Sequence, residues 1–112
     1  LGHDDNFCDN DVLRRSCFWA VGRLARARPD LCAASRPWLL KGLEDEDSLC
    51  RGMAAWALAQ LPPDFMDAPA LRRLAESGNG DVCEIYEDDR IRTARVDDLA
   101  RAALARNNAP EN

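Results

Sequence analysis

The chain has 112 residues, enough for one domain that buries roughly two thirds of the surface exposed by its unfolded form. Hydrophobic residues make up 46% of the sequence, and they are rich in Ala and Leu and poor in Ile, Thr and Tyr, which favours helix over sheet. The formal net charge of −5 argues against non-specific binding to nucleic acid, and no apolar run approaches the length of a membrane span.

The predicted elements begin with the tail of a helix. Leu1 to Asn6 resemble Leu43 to Ser48, which form the end of a later helix and its acidic turn. We therefore expect the chain to open at the end of a first helix whose body it does not contain. Its apolar N-terminal edge is then expected to stack on upstream repeats or on a second copy in a homodimer.

The next element, at residues 13–24, is a predicted helix that has a second copy. Shifted by 37 residues, it lies over residues 50–61, so that Arg14 meets Arg51 and Trp19 meets Trp56. Apolar residues recur at helical spacing in both copies. An offset of this size is too long for one helix and is typical of a helix–turn–helix repeat.

The segment between the two copies supplies the other helix of the repeat. Pro37 to Leu43 form a predicted short helix whose proline is its first residue, where no N–H is needed. Residues 44–48 form an acidic turn that can cap the helix beginning near Leu49. Ala68 to Leu74 weakly repeat the first of these helices and predict the start of a third repeat.

The C-terminal third departs from this pattern. Residues 77–80 contain two glycines and break the helix. Residues 82–87 and 90–95 carry β-branched residues in rough alternation, which predicts two strands joined by Asp88 and Asp89. A last helix, Asp97 to Arg106, is expected to be capped by Asp97 or Asp98.

The run from Pro37 to Leu61 resembles a HEAT-like repeat of the phycobilisome-lyase type. This resemblance implies an all-α fold, an α–α superhelix of about two and a half repeats. The strands predicted from the residues near 82–95 add a small β-hairpin insertion to it. One domain then spans residues 1–112 and divides into a partial repeat at 1–27, repeats at 28–65 and 66–106, and a polar tail at 107–112. Arg51 to Leu58 also resemble the repeat extension of epoxyqueuosine reductases, which are iron–sulfur enzymes acting on transfer RNA.

The candidate partner-binding residues lie on the second helix of each repeat. In the resembled pattern, the position of Trp19 and Trp56 often faces the concave side of the superhelix. Arg15 and Arg23 lie four residues either side of Trp19, and Gln60 lies four residues after Trp56. Aromatic residues beside arginines are typical of binding hot spots. The alternative is that both indoles pack between helices with their N–H groups bonded locally.

Other polar residues have structural interpretations. Arg14 and Arg51 are expected to pair with acidic residues of a turn or a neighbouring repeat and form a structural ladder. The acidic residues near the hairpin turn, Glu84, Glu87, Asp88 and Asp89, are expected to be a solvated tip.

The titratable residues do not form a recognisable catalytic or metal-binding pattern. The five cysteines, Cys8, Cys17, Cys32, Cys50 and Cys83, show no CxxC spacing and are expected to be reduced thiols in a cytoplasmic protein. The one histidine, His3, lies near the start of the sequence. We expect neither a metal nor a cofactor, and the sequence argues weakly against an enzyme.

These observations predict a non-catalytic protein–protein interaction or scaffold module. The family resemblance leaves two alternatives open, a tetrapyrrole (bilin) lyase-like protein and a repeat appendage of a larger iron–sulfur or tRNA-modifying enzyme. A protein partner is expected, whereas nucleic acid and membrane are not.

Overall fold

Five α-helices and one β-hairpin make up the described part of the chain. The computed structural model describes residues 10–28, 30, 33–61 and 68–108. The elements are α1 (Asp11–Ala27), a short 3₁₀ helix (Ala33–Ser35), α2 (Arg36–Gly42), α3 (Ser48–Ala59), α4 (Ala68–Glu76), β1 (Val82–Glu87), β2 (Arg90–Arg95) and α5 (Val96–Asn108).

The two longest repeat-matched helices begin at side-chain caps. Asn10 Oδ1 accepts a hydrogen bond from the backbone N–H of Leu13 at 3.1 Å, and Asp47 Oδ2 accepts one from that of Cys50 at 2.9 Å. Each cap satisfies an N–H group that has no partner inside its helix. The acidic turn therefore caps α3, as its sequence predicts.

Helix α3 lies at the centre of the fold. It packs against α1, α2 and α5, and α4 packs against α5 on the far side. Every residue from Gly52 to Leu58 is buried, so α3 has no solvent-facing side over two turns. A helix that is apolar all round needs cover on every side. The hairpin supplies part of that cover, because β1 also contacts α3.

The predicted hairpin is present with the predicted strand limits. Its antiparallel register runs from Val82 opposite Arg95 to Glu87 opposite Arg90. The two turn residues, Asp88 and Asp89, have φ values of 52° and 63°. Positive φ at both positions is the requirement of the type I′ turn, whose twist matches that of the strands. Aspartate tolerates this conformation better than most residues.

The start and end of α5 correct the sequence-based prediction. Asp97 and Asp98 lie inside its first turn instead of capping it, and the N–H groups of Val96 and Asp97 donate to the carbonyls of Asp81 and Asn79 at 2.9 and 3.0 Å. Strand β2 runs into the helix without a loop. The carbonyl groups that accept from the first N–H groups of α5 therefore come from the turn before β1. Residues 107 and 108 extend α5 and do not belong to a tail.

The overall shape differs from the open superhelix of the prediction. The radius of gyration is 13.3 Å, and a compact domain of this length has a value of about 13 Å. The chain closes because the hairpin folds back onto α1 and α3. No helix among the described residues is long and apolar enough to cross a membrane. The predicted opening helix tail at residues 1–6, His3, Cys8 and Cys32 lie outside the described residues.

Candidate protein-binding groove

The hairpin reaches α3 through a close contact at Gly52. A Cβ atom built on Gly52 would lie 2.7 Å from Cys83 Sγ, so any larger residue would push β1 away. Cys83 and Ile85 are the buried residues of β1, and they alternate with the exposed Val82, Glu84 and Tyr86. One face of β1 therefore packs on the helices while the other faces solvent.

Trp19 joins α1 to the tip of β1. Its indole Nε1–H donates to the backbone carbonyl of Tyr86 at 3.0 Å, and the two rings lie 6.3 Å apart in a tilted arrangement. The guanidinium of Arg23 stands 5.6 Å from the centre of the Trp19 ring, a cation–π distance. Trp19 remains partly exposed, so a partner can still contact it.

Trp56 lies inside the core, although it occupies the repeat position equivalent to Trp19. It is 2% exposed and packs against Gly22 of α1. A Cβ atom at Gly22 would come within 2.4 Å of the Trp56 ring. Because Gly22 has no side chain, α1 approaches closely and covers the indole. The structure therefore gives Trp56 a packing environment, and it is not part of an exposed aromatic strip.

Glu87 secures the end of the hairpin to both helices. Its carboxylate accepts hydrogen bonds from Arg92 Nε at 2.8 Å, Trp56 Nε1 at 3.3 Å and Arg26 Nη1 at 3.4 Å. Burial alone would raise the pKa of Glu87, but these donors and charges outweigh it and hold the pKa below its ordinary value. Glu87 is therefore a structural ionised group, and the prediction of a solvated acidic tip is wrong for this residue.

The remaining predicted binding residues differ in their surroundings. Arg15 binds the carboxylates of Asp11 and Asp47 and lines the space between α1 and β1. Gln60 is partly buried, and its side-chain amide donates to the carbonyl of Trp56 at 3.0 Å. Gln60 thus closes the last turn of α3 and does not line the space that Trp19 and Arg15 share.

The two arginines of the expected ladder are not equivalent. Arg14 binds both carboxylate oxygens of Asp45, in the turn of the following repeat, at 2.9 and 3.0 Å. Arg51 donates at 2.6 Å to the backbone carbonyl of Asp45 and makes no ion pair among the described residues. The turn at Asp45 therefore receives one arginine from α1 and one from α3, and only Arg14 forms an ion pair.

The arginine-rich stretch of α1 is largely neutralised. Five ion pairs cover it: Arg14 with Asp45, Arg15 with Asp11 and with Asp47, Arg26 with Glu87, and Arg28 with Asp30. Arg23 instead lies on the ring of Trp19. Arg14 and Arg15 thus hold α1 to the turn before α3, and Arg26 holds it to the hairpin.

An open groove of about 640 Å³ lies between α1 and β1. It is lined by Val12, Arg15, Ser16, Trp19, Leu49, Met53, Val82, Cys83, Glu84, Tyr86 and Thr93. Three of its apolar side chains are about half exposed: Val12 at 58%, Val82 at 51% and Tyr86 at 46%. We call this space the α1–β1 groove. The sequence signal for this groove was the presence of apolar residues, Val82 and Tyr86, at the exposed positions of β1. This signal can be interpreted only once the hairpin is placed beside α1.

The described cysteines are free thiols. Burial raises the pKa of Cys50 to about 12 and that of Cys83 to about 11. Such thiols are protonated near neutral pH and are poor nucleophiles. Within the described ranges, no group of three or more His, Cys, Asp or Glu side chains is placed to hold a metal ion.

Helices α1 and α3 pack together and carry Trp19 and Trp56 at matching positions, which is typical of α-helical repeats. Residues 11–61 match the family of HEAT-like repeats, so this part of the chain is a HEAT-like repeat region. No curated protein and no solved structure matches the chain.

Proposed function

We propose that the chain is a non-catalytic protein-binding module of about two and a half HEAT-like repeats, and that its partner docks in the α1–β1 groove. The observation that carries this proposal is the set of half-exposed apolar side chains, Val12, Val82 and Tyr86, that line the groove together with the partly exposed Trp19. Contiguous apolar surface of this kind marks interaction sites, and tryptophan and tyrosine are frequent hot-spot residues.

The chemistry of the groove supports binding over covalent chemistry. Cys83 is its one cysteine among the described residues, and this thiol is buried and donates to the carbonyl of Leu49 at 3.7 Å. Arg15 is held by two carboxylates. The Cys83 thiol is therefore not prepared for nucleophilic attack, and the Arg15 guanidinium is already paired, so the groove favours a binding module over a bilin-attaching enzyme.

The charge arrangement favours a protein partner over nucleic acid. Binding to phosphates requires clustered cations that are free to release counterions. Four of the five arginines between residues 14 and 28, namely Arg14, Arg15, Arg26 and Arg28, are instead engaged with carboxylates of the same chain. We therefore do not propose that the chain is the appendage of a tRNA-modifying enzyme. The predicted cytoplasmic location remains part of the proposal.

Affinity capture from a lysate of the source organism tests this function. We expect the wild-type chain to retain a partner and the Val12→Lys variant to lose it, because a charge then enters the apolar rim of the groove. Leu24→Lys is the matched control, since Leu24 is an exposed apolar residue of the same helix outside the groove. Retention of the same proteins by all three chains would contradict the proposal.

A further inference from the structure

We propose that the α1–β1 groove receives an extended peptide segment, which adds as a strand to the outer edge of β1 and places a basic residue beside Glu84. This inference rests on the proposed function and specifies the class of partner. Three independent features of the groove lead to this inference. They are the outward direction of the β1 backbone groups, the open space beside them and, within the described part of the chain, the unpaired charge of Glu84.

The register of the hairpin fixes which backbone groups of β1 face outward. A two-residue type I′ turn makes Glu87 and Arg90 a hydrogen-bonded pair, and such pairs alternate along an antiparallel ladder. The N–H and C=O groups of Val82, Glu84 and Tyr86 therefore point away from β2. The bond from Trp19 Nε1 to the Tyr86 carbonyl agrees with this direction.

The outward groups open into the groove. Among the described residues, the N–H and C=O groups of Glu84 have no hydrogen-bonding partner. Open strand edges are templates for the addition of another strand, and proteins normally cover or disrupt them. Here Val12 and Ser16 of α1 and Val82 and Glu84 of β1 line the same open space of about 640 Å³, and α1 contacts the edge by a hydrogen bond at Tyr86. An extended chain can enter between the two.

The length of the open edge limits the size of the added strand. From Val82 to Tyr86 it spans about 13 Å at the usual strand rise, which corresponds to about five residues. At the Tyr86 end, the backbone carbonyl already accepts a hydrogen bond from the indole of Trp19. The occupant is therefore a short segment that ends against Trp19.

Charge and side-chain pattern define its chemistry. Arg15 is paired with Asp11 and Asp47, which leaves Glu84 as the unpaired charge of the groove among the described residues. Side chains on the same face of neighbouring strands interact directly. A Lys or Arg thus fits beside Glu84, and apolar residues two positions to either side fit beside Val82 and Tyr86.

The test uses an acetylated, amidated peptide Ser-Val-Thr-Lys-Thr-Val-Ser and its partner in which Glu replaces Lys. We expect the wild-type chain to bind the Lys peptide about fivefold more tightly, since a favourable cross-strand pair replaces a like-charge pair. The Glu84→Lys variant should reverse this preference. A Lys peptide N-methylated at the residues whose N–H groups face β1 should lose binding, because it cannot complete the ladder.

Amide hydrogen exchange locates the peptide. Binding should slow exchange at Val82 and Glu84 and leave Cys83 and Ile85, which already face β2, unchanged. Shifts at α1 without this protection, or equal affinity for both peptides, would overturn strand addition. Strand addition by a partner would also be overturned if the Glu84 amide were protected in the free protein and this protection disappeared on a change to the chain or its concentration. Loss of protection on deletion of residues 1–9 would identify the chain's own segment as the occupant. Loss of protection on dilution would identify a second copy. Loss of capture by Val12→Lys would still support the proposed function in each case.

Discussion

Replacement of Trp56 by Ala is expected to lower the free energy of unfolding by about 3–5 kcal/mol. The side chain is 2% exposed and fills the space left by Gly22 between α1 and α3, so its removal leaves a cavity in the core. The same change also removes a hydrogen-bond donor from the carboxylate of Glu87. Urea unfolding followed by circular dichroism measures the loss.

Trp19→Ala is the matched control for that experiment. Trp19 occupies the equivalent repeat position but is partly exposed, and its loss removes one hydrogen bond and part of a packed surface. We expect this substitution to cost about 1–2 kcal/mol. Equal losses for the two variants would mean that the two indoles share one environment and would contradict the structure. A double tryptophan variant is a poor probe of binding, because it also removes core packing.

Replacement of Arg14 by Met is expected to lower the free energy of unfolding by about 3 kcal/mol. The side chains of Arg14 and Asp45 are 13% and 12% exposed, and their two hydrogen bonds join α1 to the turn before α3. The hydrogen bond to Asp45 is the main reason that the pKa of Arg14 rises above its ordinary value. Without Arg14, the carboxylate is left mostly shielded from water and without its cationic partner.

The exposed pair of Arg73 and Glu44 provides the comparison. These side chains are 67% and 73% exposed and approach to 3.7 Å. Arg73→Met should change the free energy of unfolding by at most about 1 kcal/mol, since exposed ion pairs contribute little. A loss at Arg14 no greater than that at Arg73 would show that the first pair has no special structural role.

The helices and strands were largely predictable from the sequence because their signals are local. The acidic turn before α3 caps its first turn, and the alternation at residues 82–87 and 90–95 gives both strands their limits. The repeat offset pairs α1 with α3, which do pack together. Each of these inferences uses residues that are near one another in sequence or related by the repeat.

The site was predictable only in part because it depends on distant contacts. Trp19 and Tyr86 are 67 residues apart, and no period in the sequence joins the hairpin to α1. Two tryptophans in identical repeat positions differ in exposure. Gly22 lets α1 pack closely over Trp56, whereas Trp19 is a residue of α1 itself. Glu87 resembles its acidic neighbours in sequence, and its role appears only when Arg26, Trp56 and Arg92 converge on it.

The position of the hairpin changes how the HEAT-like repeat can be used. In an open superhelix, Trp19 and Trp56 would both belong to one concave surface. Here β1 covers α3 and leaves a narrower groove beside α1, with one strand edge as its wall. The hairpin therefore replaces a broad helical surface with the narrower groove that we propose as the site of an extended segment.

The most direct test of this arrangement is a nuclear Overhauser measurement on the two indole N–H protons in the free protein. The account predicts strong effects from Trp19 to the backbone protons of Tyr86 and Glu87, together with slow exchange of the Trp56 indole proton, whose donor lies 3.3 Å from Glu87 Oε2. Absence of effects between Trp19 and the hairpin, with rapid exchange at both indoles, would contradict the docking of β1 on the repeat and remove the groove with it.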